Sequence, residues 1–180
     1  MMLIYQCGKT IKETMKMITR YLKTDLAIFI ALFCIFYATQ NIVNLQGAYS
    51  FVFAVLTMDG HTAYPAHFGP AISSPTLIWI SLWIIILMEY LAGLLTLKGA
   101  WDMWSARKLS KTDFNAAKKY VMLGAGVALL VWFGLFSAVG GAYFQMWQTE
   151  LGGAALNGAF QFAVLIGVVA LFINMPDPEL

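Results

Sequence analysis

TLIWISLWIIILMEYLAGLLTL, residues 76–97, is an unbroken apolar run with a single charged side chain, Glu89. An α-helix rises about 1.5 Å per residue, so a run of this length matches a hydrocarbon core about 30 Å thick. Backbone amides in hydrocarbon must be paired within their own segment, and a helix does this. Three further runs have the same character, at residues 25–44, 119–140 and 154–174. The composition agrees. Of 180 residues 61% are hydrophobic and 11% charged, with a mean hydropathy of +0.74, whereas a soluble domain carries about 25% charged residues. The chain therefore reads as an all-α membrane protein, an antiparallel four-transmembrane-helix bundle forming one domain over residues 1–180. The first run reads as a span rather than a secretory leader, because a long basic segment precedes it and no small-x-small cleavage site follows.

The basic residues fall in two places. Lys9, Lys12, Lys16, Arg20 and Lys23 precede the first run, and Lys98, Arg107, Lys108, Lys111, Lys118 and Lys119 lie around the connection between the second and third. Residues 45–75 and 141–153 contain none. Lysine and arginine accumulate in cytoplasmic loops, so both termini are expected on the cytoplasmic side of the membrane. A net charge of +2 with this distribution implies no nucleic-acid partner. At about 100° per residue, the N-terminal basic residues share one arc and Ile11, Met15, Ile18 and Leu22 the opposite one. That pattern predicts an interfacial helix over about residues 8–23, its lysines turned toward anionic headgroups.

The long connection at residues 45–75 holds FVFAVLTM, residues 51–58, which is too short to span and predicts an interfacial or re-entrant helix. Asp59, His61 and His67 follow. They invite a metal site, but their spacing is not that of one, and a solvated loop is expected. Cys7 and Cys34 lie in different layers, so no disulfide is expected. In the connection between the third and fourth runs, GGAYFQMWQTELGG, residues 140–153, places Tyr143, Phe144 and Trp147 at a turn. Amphipathic rings favour the headgroup layer, so an aromatic belt is expected; a surface for a lipophilic ligand such as quinone or lipid is the alternative. Asp113 is placed to cap a helix beginning near Phe114, and Pro176 and Pro178 end the last span.

Glu89 is the one acid inside a span, and such a group is costly unless paired, protonated or hydrated. The same depth on the other spans meets Phe33, Val127 and Ile166, none of them polar. The expected state is a carboxyl bonded to backbone or to a neighbouring subunit, with Gly93 one turn on to admit that neighbour; a proton relay or transport role is the alternative. Asn41, Asn44, Asn157 and Gln161 are expected at the outer ends of spans one and four, as an interhelical hydrogen-bond cluster or the polar mouth of a site. Ala155, Ala159, Ala163 and Gly167 repeat at every fourth position, a stripe that lets another helix approach closely; Gly124 with Ala128 and Gly134 with Ala138 are shorter versions. No Ser-His-Asp set, phosphate-cradling Gly-rich loop or intramembrane histidine for haem is present. Neither catalysis nor a cofactor is expected, bound lipid aside.

Several phrases carry a resemblance: Gly99-Ala100-Trp101 with Trp104 and Arg107, Phe114 with Lys118, and Phe144 with Met146-Trp147. Over residues 25–174 the chain resembles a bacterial family of predicted small integral membrane proteins of unknown function. It departs from the family at Ala142, where the resemblance implies a glutamate. The resemblance implies four spans and no established activity. The sequence thus points to a non-catalytic protein that works by helix packing, as an accessory subunit of a larger assembly or as a homo-oligomer.

Overall fold

The computed structural model describes residues 2–67 and 69–178, with side chains from Glu13 onward. It is built from α1 (Met2–Val43), α2 (Leu45–Thr57), α3 (Pro75–Ala106), α4 (Lys111–Ala117), α5 (Lys119–Leu129) with a π-helical continuation (Leu130–Tyr143), and α6 (Glu150–Asn174). Four helical stretches are long and apolar enough to cross a membrane: Glu13–Val43, Pro75–Ala106, Lys111–Tyr143 and Glu150–Asn174. Each coincides with one of the runs read from the sequence, the first ending one residue short of it, at Val43. The segregation of charge leaves a basic end, where α1 begins and α3 finishes, and a lysine-free end.

α3 lies between α1 and α5, and α6 packs on α5, on its π-helical continuation and on α1. Two glycines of this core are required by close approach. A methyl group at Gly93 of α3 would stand 2.6 Å from Ile35 Cγ1 and 3.0 Å from the Ala31 carbonyl oxygen of α1. One at Gly124 of α5 would collide with Thr96 and with the Ala92 carbonyl of α3. Phe33 and Tyr37 of α1, Trp132 and Phe162 join the remaining layer through edge-on and tilted ring contacts, with centroids 5.0 Å apart for Phe33 and Phe162 and 5.3 Å for Phe33 and Trp132.

Several expectations need correction. The interfacial helix over residues 8–23 is instead the start of α1, which runs without a break from Met2 to Val43. The side chains of Cys7, Lys9, Ile11 and Lys12 lie outside the described residues. Within the described part the amphipathic arrangement is inverted, since Met15, Ile18 and Leu22 are exposed while Arg20 and Lys23 are buried. The short apolar helix is longer than the run FVFAVLTM, because Leu45 to Ser50 continue the helix; it stops at Met58, which adopts a left-handed conformation. The cap of α4 is Ser110, whose hydroxyl accepts from the Asp113 amide and donates to the Asp113 carboxylate. Asp113 is thus the third residue of the helix, where a carboxylate favours the positive end of the helix dipole.

The small-residue stripe of α6 is occupied within the chain. Ala159 is buried, Ala163 packs against the same cluster, and Gly167 faces Leu129. Of the shorter pairs, Gly124 and Ala128 are buried, while Ala138 is exposed and Gly134 meets open space.

Candidate functional site

Glu89 is paired inside the chain. Asn41 Nδ2 donates to Glu89 Oε2 at 3.0 Å, and the carboxyl is almost wholly buried. Side chains on a helix lean toward its N-terminus. On antiparallel helices Asn41 of α1 therefore leans toward the basic end and Glu89 of α3 toward the lysine-free end, so residues at different depths meet. Depth counting from the ends of the apolar runs missed this partner. Beside it, Tyr90 and Thr39 share a second hydrogen bond between the same helices, 3.0 Å long. Gly93 admits Ile35 of α1 and not a neighbouring subunit.

The other three residues of the expected polar cluster lie elsewhere. Asn44 donates to the Gln40 carbonyl of its own helix. Asn157 and Gln161 are exposed on α6, and among the described residues neither amide has a hydrogen-bond partner. Gln161 is not at the outer end. At ~1.5 Å per residue it lies roughly 16 Å from the start of α6, close to the middle of a hydrocarbon core. Asn157, Gln161, Val164, Val168 and Leu171 recur at alternating four- and three-residue steps, and all are exposed. This is the spacing of a helix–helix seam.

The aromatic turn faces two ways. Trp147 is largely exposed, while Phe144 and Met146 are buried. The turn is fastened to the long connection by Gln148, whose side-chain oxygen accepts from the Tyr64 amide at 2.8 Å and whose nitrogen donates to the Tyr64 carbonyl. Tyr64 meets Trp147 edge-on, with centroids 5.2 Å apart. Beneath Phe144 and Met146 lies a cavity of about 270 Å³ between α2, α3 and the π-helical segment. Extended π-helix is rare and accompanies functional sites. Here its wider register is seen in the Ser137 hydroxyl donating to the Trp132 carbonyl, five residues back, and in the Phe144 amide donating to the Val139 carbonyl.

At the basic end the structure assembles a cluster the sequence reading did not anticipate. Arg20 Nη1 donates to the carbonyls of Arg107 at 3.0 Å and Leu109 at 2.8 Å, and Nη2 reaches the Pro178 carbonyl. The guanidinium lies 4.6 Å from the Phe114 ring centre. Lys23 Nζ donates to the Met175 carbonyl at 2.6 Å and to Asp177 Oδ2 at 2.8 Å. Lys118 Nζ donates to Asn115 Oδ1, to the Met175 carbonyl and to the same Asp177 oxygen. All three cations and Asp177 are buried. The tail after α6 thus fastens α1 to α4 and to the start of α5. The available signal was Asp177 itself, an acid held between two prolines on the same side of the membrane as Arg20 and Lys23.

Asp59 and His67 are exposed, and among the described residues no group of three His, Cys, Asp or Glu side chains comes together. Burial, reinforced by nearby His67 and opposed by Asp59, holds the His61 imidazole below its ordinary pKa. Among the described residues neither of its ring nitrogens has a hydrogen-bond partner. Cys34 is a free thiol buried between helices. Near Trp104, the Arg107 guanidinium lies 4.1 Å from the ring centre.

Compared with known proteins, residues 19–176 match the model of a family described as predicted small integral membrane protein (DUF2165). No curated protein and no solved structure matches the chain.

Proposed function

The chain belongs to the family of predicted small integral membrane proteins, and we propose that it is a non-catalytic packing protein that assembles with a second copy of itself through the exposed face of α6. In this reading it resides in the bacterial cytoplasmic membrane with both termini inside, as the distribution of its lysines and arginines favours.

The observation that carries the reading is Gln161. An amide on the lipid-facing side near mid-membrane has no water to bond, and glutamine and asparagine in such places bond across helices. Two copies inserted in the same direction and related by a twofold axis along the membrane normal bring identical residues to identical depth. An amide is donor and acceptor at once, so Gln161 complements its own copy. The regular spacing of Val164, Val168 and Leu171 extends that seam, and a polar residue within an apolar seam fixes register. Glu89, already bonded to Asn41, serves here to hold α1 on α3.

The test is dilution in bilayers with single-molecule counting. Interhelical hydrogen bonds in membranes average about 0.6 kcal/mol, so a reciprocal pair is worth about 1.2 kcal/mol, or nearly tenfold in the dimer dissociation constant. Gln161→Leu should weaken association by that factor. A protein that stays monomeric at every density would reject self-assembly, and a different subunit co-purifying in stoichiometric amount would replace it with an accessory role.

A further inference from the structure

We propose that the cavity beneath the aromatic turn is a seat for one acyl chain of a phospholipid from the leaflet at the lysine-free end. Its wall is made by Val52 and Leu56 of α2, Ile84 of α3, Phe136 and Val139 of the π-helical segment, and Phe144 above. An apolar cavity of about 150 Å³ stays dry and takes up benzene, and this one measures about 270 Å³. The space is large enough for part of an acyl chain.

The chemistry of the wall sets the ligand class. The one side-chain hydroxyl that lines it, from Ser81, is engaged with the Leu77 carbonyl at 2.9 Å. Side-chain polarity is therefore unavailable to a headgroup or a quinone carbonyl, and hydrocarbon is what fits. The mouth opens sideways between α3 and the π-helical segment, where the lining residues Ile84 and Val139 are 46% and 43% exposed. Phe144 and Met146 close the space toward the lysine-free end, being only 4% and 1% exposed. Gly140 lets this roof sit on the wall, because a methyl group there would stand 2.6 Å from Met146 Sδ. An acyl chain enters from the bilayer with its headgroup left at the level of Trp147, and water does not. This seat is formed within one chain and does not depend on assembly through α6.

The experiment uses the full chain in nanodiscs of phosphatidylethanolamine and phosphatidylglycerol, doped with a phospholipid carrying a photoactivatable diazirine near the end of one acyl chain. After illumination, label should concentrate on residues 52–56 and 135–139, above the level on Leu130 and Phe133, which are exposed and lie outside the α6 seam. Val139→Phe narrows the mouth and should lower cavity labelling at least fivefold while leaving Leu130 and Phe133 unchanged. Ile84→Phe on the opposite lip reads the same quantity if the first variant unfolds. Cavity labelling no higher than at Phe133, or unaffected by either substitution, would overturn the proposal. So would displacement of the label by an added isoprenoid quinone, which would assign the space to a different occupant.

Discussion

Replacing Asp177 with asparagine keeps the shape of the side chain and removes its charge, which singles out the electrostatic part of the cluster at the basic end. The carboxylate is 1% exposed and accepts from Lys23 and Lys118, both about equally buried, while Arg20 nearby is committed to carbonyls and to the Phe114 ring. Removing one partner of a buried pair costs about 3–5 kcal/mol, because the remaining charge is left without compensation. Two ammonium groups lose the same partner here, so the upper end of that range, about 5 kcal/mol, is expected. That is a large share of the 5–15 kcal/mol typical of a folded domain. The exposed pair Lys98–Asp102, whose side chains are 55% and 28% accessible, supplies the control, and Asp102→Asn should cost less than about 1 kcal/mol. Reversible unfolding in mixed micelles, followed by helical circular dichroism, measures both. Adding Lys118→Met to Asp177→Asn should recover part of the loss, since it removes one of the stranded charges. Equal and small costs for Asp177→Asn and Asp102→Asn would refute the claim that the tail locks the helices together at this end.

Two further outcomes follow from the contact between α1 and α3. Glu89→Gln keeps a side-chain oxygen facing Asn41 and should leave stability within about 1 kcal/mol, whereas Glu89→Leu strands the half-buried amide and should cost about 1–3 kcal/mol in the same unfolding assay; a larger loss for glutamine than for leucine would contradict the pairing. Gly93→Ala places a methyl group 2.6 Å from Ile35 Cγ1 and 3.0 Å from a backbone oxygen, and should lower stability by about 1–3 kcal/mol. A neutral effect on the melting temperature would show that α1 and α3 have room to spare.

What the sequence made legible was whatever depends on local composition. Four apolar runs were sufficient to identify the spans, and the charge distribution separated the two ends of the bundle. Pairings between helices were not legible, because they depend on rotation and tilt. Glu89 found Asn41 through the opposed lean of their side chains, which counting along each run ignores. Ala155, Ala159, Ala163 and Gly167 suggested an external seam, yet within the fold Ala159 and Ala163 pack in the chain's own core, Gly167 faces Leu129, and Asn157 and Gln161 are exposed. Arg20 and Lys23 looked like headgroup anchors because they share an arc with the other basic residues of the segment; their partners come from Met175, Asp177 and Pro178. The π-helical segment and the cavity beside it left no periodic signature, since Leu130–Tyr143 is apolar around its whole circumference.

Self-association through α6 is tested most directly by proximity at the seam. In a chain with Cys7 and Cys34 replaced by alanine and Gln161 kept, Val164→Cys at the seam should form a disulfide-linked dimer on mild oxidation in native membranes. Phe133→Cys, on an exposed face of the neighbouring helix, should remain monomeric under the same conditions. Equal cross-linking at both positions, or none at Val164→Cys, would contradict the account.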